Sequence, residues 1–220
     1  MTTLHASALL FDLDGTLVNS SGDVEKMWRA WCEKVGVDVA DLLAVSEGRQ
    51  GKSVVAELAP HLDPVAEDDW IIDYQLNQNS TAEPLPGAGD MLRSLGDGSP
   101  EKKTAAKWGI VTSCVHDLAM NRLDAAGLPR PPMIVPADQI TRSKPDPEGF
   151  LVGAERLGVA PAGCIVFEDS TAGLTAAREA GMVGVAITAA TRDTPAADHV
   201  ARDWTEITIA REGDGWTVTV

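Results

Sequence analysis

Leu9-Leu10-Phe11-Asp12-Leu13-Asp14-Gly15-Thr16 is an apolar run that ends in two carboxylates one residue apart, followed by glycine and threonine. An apolar run bounded by a turn signal reads as a buried strand. Carboxylates at its carboxyl end then need a reason, because two close negative charges repel unless a cation lies between them or they share a proton. A magnesium ion meets that need, since it takes hard oxygen ligands from one or two carboxylates and completes its shell with phosphate oxygens. Alternate residues of an extended segment share a face, so Asp12 and Asp14 serve one site if the strand runs through both. Taken alone, the stretch is equally well read as a strand followed by an Asp-Gly turn.

Outward from this stretch, short apolar runs alternate with helical patterns, the signature of a parallel sheet covered by helices. Strands are expected at Ala8 to Asp12, Trp108 to Thr112, Met133 to Val135, Cys164 to Glu168 and Val183 to Ile187, and helices at Asp117 to Ala126, Pro147 to Leu157 and Ala172 to Ala180. In such sheets ligands bind beyond the carboxyl ends of the strands, which selects Asp12, Asp14, Thr112, Ser113, Glu168 and Asp169. About 95 residues separate the first strand from the second, far more than a crossover needs. The insertion reads as helices at Val24 to Val35, Val39 to Val45, Lys52 to Leu58 and Ala66 to Leu76. Pro84-Leu85-Pro86-Gly87 closes it as a hinge, Gly89 to Leu95 returns as a core helix, and Gly96 to Lys107 reads as an exposed loop. Ile207-Thr208-Ile209 and Trp216-Thr217-Val218 read as an antiparallel hairpin on the sheet edge. The expected division is a core of residues 1–18 and 86–220 and a helical cap of 19–85.

The 220 residues carry 33 acidic against 18 basic side chains, a net charge of -15. That balance disfavours nucleic acid and anionic membrane surfaces as partners, but not a phosphorylated small molecule met by local cations. Cys32, Cys114 and Cys164 are too few and too scattered for a disulfide framework, and a reduced, cytoplasmic setting fits. Nothing approaches the ~18 apolar residues of a membrane span. Oligomeric state is open, and a monomer is compatible with the sequence.

The other strand ends supply the parts of a phosphoryl-transfer site. Thr112 and Ser113 offer a hydroxyl and backbone amides, Lys144 in Arg142-Ser143-Lys144-Pro145-Asp146-Pro147 offers a cation, and Glu168-Asp169 brings a second carboxylate pair. Each piece has an ordinary structural explanation: Thr112 and Ser113 as helix caps, Asp146 as a cap before Pro147, Lys144 as a solvated charge. Their convergence on successive strand ends does not.

As a set, Asp12-Leu13-Asp14-Gly15-Thr16, Val111-Thr112-Ser113, Lys144-Pro145-Asp146-Pro147 and Glu168-Asp169 resemble the haloacid dehalogenase-like hydrolases, and within them the helical-cap phosphatases of small sugar and polyol phosphates. The resemblance runs from Ala8 to about Ile187 and implies an α/β, Rossmann-like parallel sheet with an inserted helical cap. It implies that Asp12 is the nucleophile, forming an aspartyl-phosphate, and that Asp14 is the general acid and then base. It further implies Mg2+ held by Asp12, the Asp14 carbonyl and Asp169, with Glu168 acting at one remove, and phosphoryl oxygens held by Thr112, the Ser113 backbone and Lys144. Asp14 argues against a dehalogenase, whose halide leaving group needs no proton. Sugar-phosphate mutases of similar build carry a cap histidine ten residues after the second Asp, where this chain has Val24. The alternatives are thus a phosphosugar mutase and, from another class, a non-enzymatic phosphometabolite-binding protein.

Gly48-Arg49-Gln50-Gly51-Lys52-Ser53 ends like a nucleotide-binding phosphate loop, but Ser46 stands where the first glycine belongs and no strand precedes it. The stretch reads instead as the cap's substrate-facing loop, with Glu47, Arg49 and Lys52 meeting the polar end of the substrate; solvated cap charges are an equal reading. Trp28 and Trp31 read as cap packing, His5, His61 and His199 as surface or structural, His116 as a residue near the cleft, and Cys114 as a small packing residue.

Overall fold

The computed structural model describes residues 1–46, 49–96, 107–189 and 197–220. Its centre is a six-stranded parallel sheet in the order β6-β5-β2-β7-β8-β9, from β2 (Ala8–Phe11), β5 (Trp108–Val111), β6 (Ile134–Val135), β7 (Cys164–Glu168), β8 (Val183–Ile187) and β9 (His199–Ala201). Side chains of β2 and β7 alternate between two faces, and both faces are buried. Leu9, Phe11, Ile165 and Phe167 join one apolar cluster; Ala8, Leu10, Cys164 and Val166 join the other. That double burial is why these strands are continuous apolar runs. The helices of the core are α5 (Ala88–Leu95), α6 (His116–Ala125), α7 (Glu148–Leu157) and α8 (Thr171–Glu179), and a one-turn 3-10 helix at Trp204–Glu206 follows β9.

The insertion forms α1 (Ser21–Val35), α2 (Val39–Leu43), α3 (Gly51–Leu58) and α4 (Pro64–Leu76) around an apolar cluster of its own. Gly36 ends α1 at φ 77, a left-handed turn that a glycine adopts without strain. Asp63 caps α4 ahead of Pro64. Trp28 and Trp31 are buried in this cluster and meet edge to face at 5.8 Å, as cap packing requires. The chain enters and leaves the insertion through a two-stranded ribbon, β3 (Val18–Asn19) against β4 (Glu83–Pro84). The segment expected to be a plain hinge at Pro84 thus begins as a strand, and Leu85 N–H donates to the Leu17 carbonyl at 2.9 Å.

The hairpin is present as β10 (Thr208–Glu212) and β11 (Gly215–Thr219), but not on the edge of the parallel sheet. It pairs with an N-terminal strand, β1 (Thr3–Ala6), in a separate three-stranded antiparallel sheet. The edges of the main sheet are β6 and β9. β1 and β9 are short and half exposed, so they carry little apolar signal. All but the ends of the expected Gly96 to Lys107 loop lies outside the described residues.

Candidate active site

Register brings the site together. Phe11 of β2 pairs with Phe167 of β7, and the Asp12 N–H donates to the Phe167 carbonyl at 2.9 Å. The strand ends at Phe11, so Asp12 is the first residue past the sheet, beside Glu168 and Asp169. The rings beneath fix this tip: Phe11 and Phe167 stack at 5.0 Å, and Trp204 lies against both while its indole N–H donates to the Thr16 carbonyl at 2.8 Å. Trp204 comes from a part of the chain where sequence reasoning expected no site element. Gly15 turns the chain at φ +82, and a Cβ there would lie 2.0 Å from Asp169 Oδ2. Glycine is needed for both the turn and the close approach.

Lys144 reaches the same point from the loop before α7. Its buried ammonium donates to Asp12 Oδ1, to Glu168 Oε1 at 2.7 Å and to the Val111 carbonyl at 3.3 Å. Glu168, 1 % exposed, turns its other oxygen to Ser170, accepting from the backbone N–H at 2.6 Å and the hydroxyl at 2.9 Å. Burial pushes the Asp12 carboxyl up to about 8, with the Glu168 charge adding to the rise and Lys144 opposing it. Burial opposes the Lys144 charge, yet Asp12 and Glu168 together raise its pKa above the ordinary lysine value, so it stays an ammonium. Asp12, Glu168 and Asp169 are all buried, with one carboxylate oxygen from each within 4.8 Å of the others. Three buried carboxylates against one ammonium leave an excess of negative charge and a set of hard oxygen donors, which fits a divalent cation.

Asp14 is held by a different set. Ser20 Oγ donates to Oδ1 at 2.5 Å, while Cys114 Sγ, at 3.0 Å, and Arg122 Nη1 both donate to Oδ2. Arg122 is 3 % exposed and spans two parts of the molecule, since its Nη2 donates to Gln75 Oε1 on cap helix α4 at 2.7 Å. Burial works against its charge, but Asp14 and Cys114 raise its pKa and keep it a guanidinium. The Cys114 thiol is pushed upward, first by burial, and so stays protonated as the donor that Asp14 needs. Arg122 escaped the sequence reading although a signal was present: Leu118, Ala119 and Leu123 form the buried stripe of α6, and Arg122 interrupts it with a charge.

Asp12, Asp14, Thr112, Ser113 and Asp169 line one cleft of about 890 Å³ between sheet and cap, together with Arg49 and Lys52 from the cap. Thr112 Oγ accepts from the Cys114 N–H at 3.1 Å. Arg49 is occupied within its own loop, donating to Glu57 at 2.8 Å and to the Val45 and Ser53 carbonyls. Glu47 lies outside the described residues. His116 is exposed, pairs with Asp117 at 3.1 Å and does not line the cleft. Asp146 accepts from the Glu148 N–H at 3.0 Å, the cap expected of it.

Residues 9–187 match the family model described as haloacid dehalogenase-like hydrolase. The chain belongs to that family. Among its relatives, this hydrolase is 33% identical to hexitol phosphatase A of Escherichia coli (strain K12), over 96% of this chain and 98% of that protein. It is 29% identical to 2-deoxyglucose-6-phosphate phosphatase 1 of Saccharomyces cerevisiae, over 99% and 96% of the two chains. Among solved structures, a hydrolase from Pseudomonas syringae superposes with a TM-score of 0.75 at 25% identity, covering 90% of this chain and 94% of that one.

Proposed function

We propose that this phosphatase hydrolyses a small sugar or polyol phosphate through an aspartyl-phosphate on Asp12, with Mg2+ as cofactor. The observation that carries the reading is the convergence of Asp12, Asp14, Thr112 and Asp169 on one cleft above the Lys144 ammonium. An Asp12 carboxylate oxygen attacks phosphorus and the bond to the leaving alkoxide breaks. Asp14 gives that alkoxide its proton, then takes one from the water that splits the aspartyl-phosphate and frees inorganic phosphate. Thr112, the Ser113 backbone and Lys144 hold phosphoryl oxygens as charge redistributes. Asp12, Asp169 and the Asp14 carbonyl would hold the cation, with Glu168 acting through Lys144 and Ser170. The cation supplies charge neutralisation of the phosphoryl group.

Residues 19–85 act in this reading as a cap that opens to admit substrate and closes to exclude water, over a core of residues 1–18 and 86–220. Val24, ten residues after Asp14, lines the cleft, and the mutases of similar build carry a histidine at that spacing, so this chain lacks the side chain that marks a mutase. Phosphate release from a panel of sugar, polyol and nucleotide monophosphates with magnesium tests the proposal. Turnover of sugar or polyol phosphates supports it, and turnover confined to nucleotides overturns it.

Arg122 enters this scheme as a positioning residue for Asp14. Arg122→Lys keeps the charge but loses the fork that spans Asp14 and Gln75 at once. Steady-state kinetics should show kcat lowered on the order of 10-fold, KM nearly unchanged, and the same loss on a small aryl phosphate as on a sugar phosphate.

A further inference from the structure

Gln50 stands at the start of α3, on the cap side of the cleft, and is 4 % exposed. Its carboxamide Nε2 and Oε1 are both buried and have no hydrogen-bond partner among the described residues. Buried polar side chains are paired in the large majority of cases, so an amide with both ends unpaired asks for an explanation. The residues that follow it in the chain meet polar groups. The Asp68 carboxylate also lines the cleft, packs so closely on Gly51 that a Cβ there would meet its Oδ1 at 2.3 Å, and accepts from the Lys52 backbone N–H. Ser53, one turn on, meets Ser143 of the core loop at 3.2 Å, so this end of α3 is where cap touches core.

We propose that Gln50 is a specificity-determining residue whose carboxamide grips two neighbouring hydroxyls of the substrate, one accepting from Nε2–H and the next donating to Oε1. A primary amide presents one donor and one acceptor side by side, and a vicinal diol presents the complement. The pairing rests on the phosphatase reading above and narrows it to a phosphate ester bearing adjacent hydroxyls on the part that faces the cap. The carboxamide is shielded from bulk water, so its partner has to be enclosed with it as the cap closes over the substrate. Unlike Arg49, already engaged by Glu57, Gln50 has hydrogen-bonding capacity that its own loop does not use.

The test compares wild type with Gln50→Met, of similar volume, on sorbitol 6-phosphate, its monodeoxy analogues and p-nitrophenyl phosphate, with magnesium. The variant should lose about 10- to 100-fold in kcat/KM on sorbitol 6-phosphate and stay within about threefold on the aryl ester. For wild type, at least one monodeoxy analogue should show the same loss, which the variant should not show. Without substrate the variant's Tm should rise by about 2–4 °C, because the unpaired amide is gone. Equal losses on both esters, no loss on either, or a lowered Tm overturns the assignment. Wild-type turnover of the polyol ester with no discrimination among deoxy analogues also overturns it while leaving the phosphatase reading intact, even if Gln50→Met fails to fold. Wild-type turnover of the aryl ester alone removes both.

Discussion

Asp12→Asn lowers phosphate release by at least about 10⁴-fold, because the amide cannot act as the anionic nucleophile and the covalent route closes. The same substitution has a second consequence, opposite in sense. Asp12 is pushed up from 3.8 to about 8, chiefly by burial, so the folded protein binds more protons than the unfolded chain between those values. In cation-free protein the contribution of Asp12 to stability therefore falls as pH rises through that window. The carboxamide of the variant carries no such proton. Melting curves in chelator should show the variant gaining on wild type from about pH 5 to about pH 8, and magnesium should narrow the difference by stabilising wild type. A variant that keeps activity removes Asp12 as nucleophile; a difference independent of pH removes the buried-charge account.

Lys144→Met has the larger effect on folding. The ammonium it deletes is the cation that meets both Asp12 and Glu168, and all three side chains are buried. Breaking a buried ion pair by removing one partner leaves unpaired charge, at a cost of about 3–5 kcal/mol. Urea unfolding in chelator should show that loss, and magnesium should recover part of it by replacing positive charge near Asp12. Activity should fall about 10²- to 10³-fold even where magnesium holds the fold, since the fixed cation beside Asp12, which the proposed mechanism sets against the phosphoryl oxygens, is lost. Unfolding curves that overlay those of wild type would show that Lys144 is not buried against the two carboxylates.

The central strands were legible because burial on both faces forces continuous apolar runs, and Cys164 to Glu168 and Val183 to Ile187 coincide with β7 and β8. Helix starts were placed one to three residues late in the cap, where Ser21, Gly51 and Pro64 open helices without apolar periodicity. β1 and β9 were invisible because a half-exposed strand of three or four residues has almost no pattern to read. In the site, Asp12, Asp14, Thr112 and Asp169 were visible as polar residues at or just past strand ends, whereas Lys144 stands in the loop before α7, nine residues beyond β6, and not at a strand end. Spacing along α6 puts Arg122 on the buried face but does not say what it meets, and nothing in the spacing of α3 marks Gln50, because both partners are set by packing between cap and core. Cys114 was read as packing alone; its thiol also donates to Asp14, a contact set by the turn after β5.

The β3–β4 ribbon has an evolutionary corollary. Asn19 faces Glu83 across it, so the intervening helices depart and return one strand spacing apart, about 5 Å. A two-residue turn closes a gap of that width. The insertion is thus topologically a blister on a closed path: its helices can lengthen, shrink or be exchanged wholesale while every strand of the six-stranded sheet keeps its register. Selection can vary what the protein accepts while the sheet end that carries Asp12 and Asp169 stays in place, so long as Ser20 and Gln75, the insertion's links to Asp14 and Arg122, are kept.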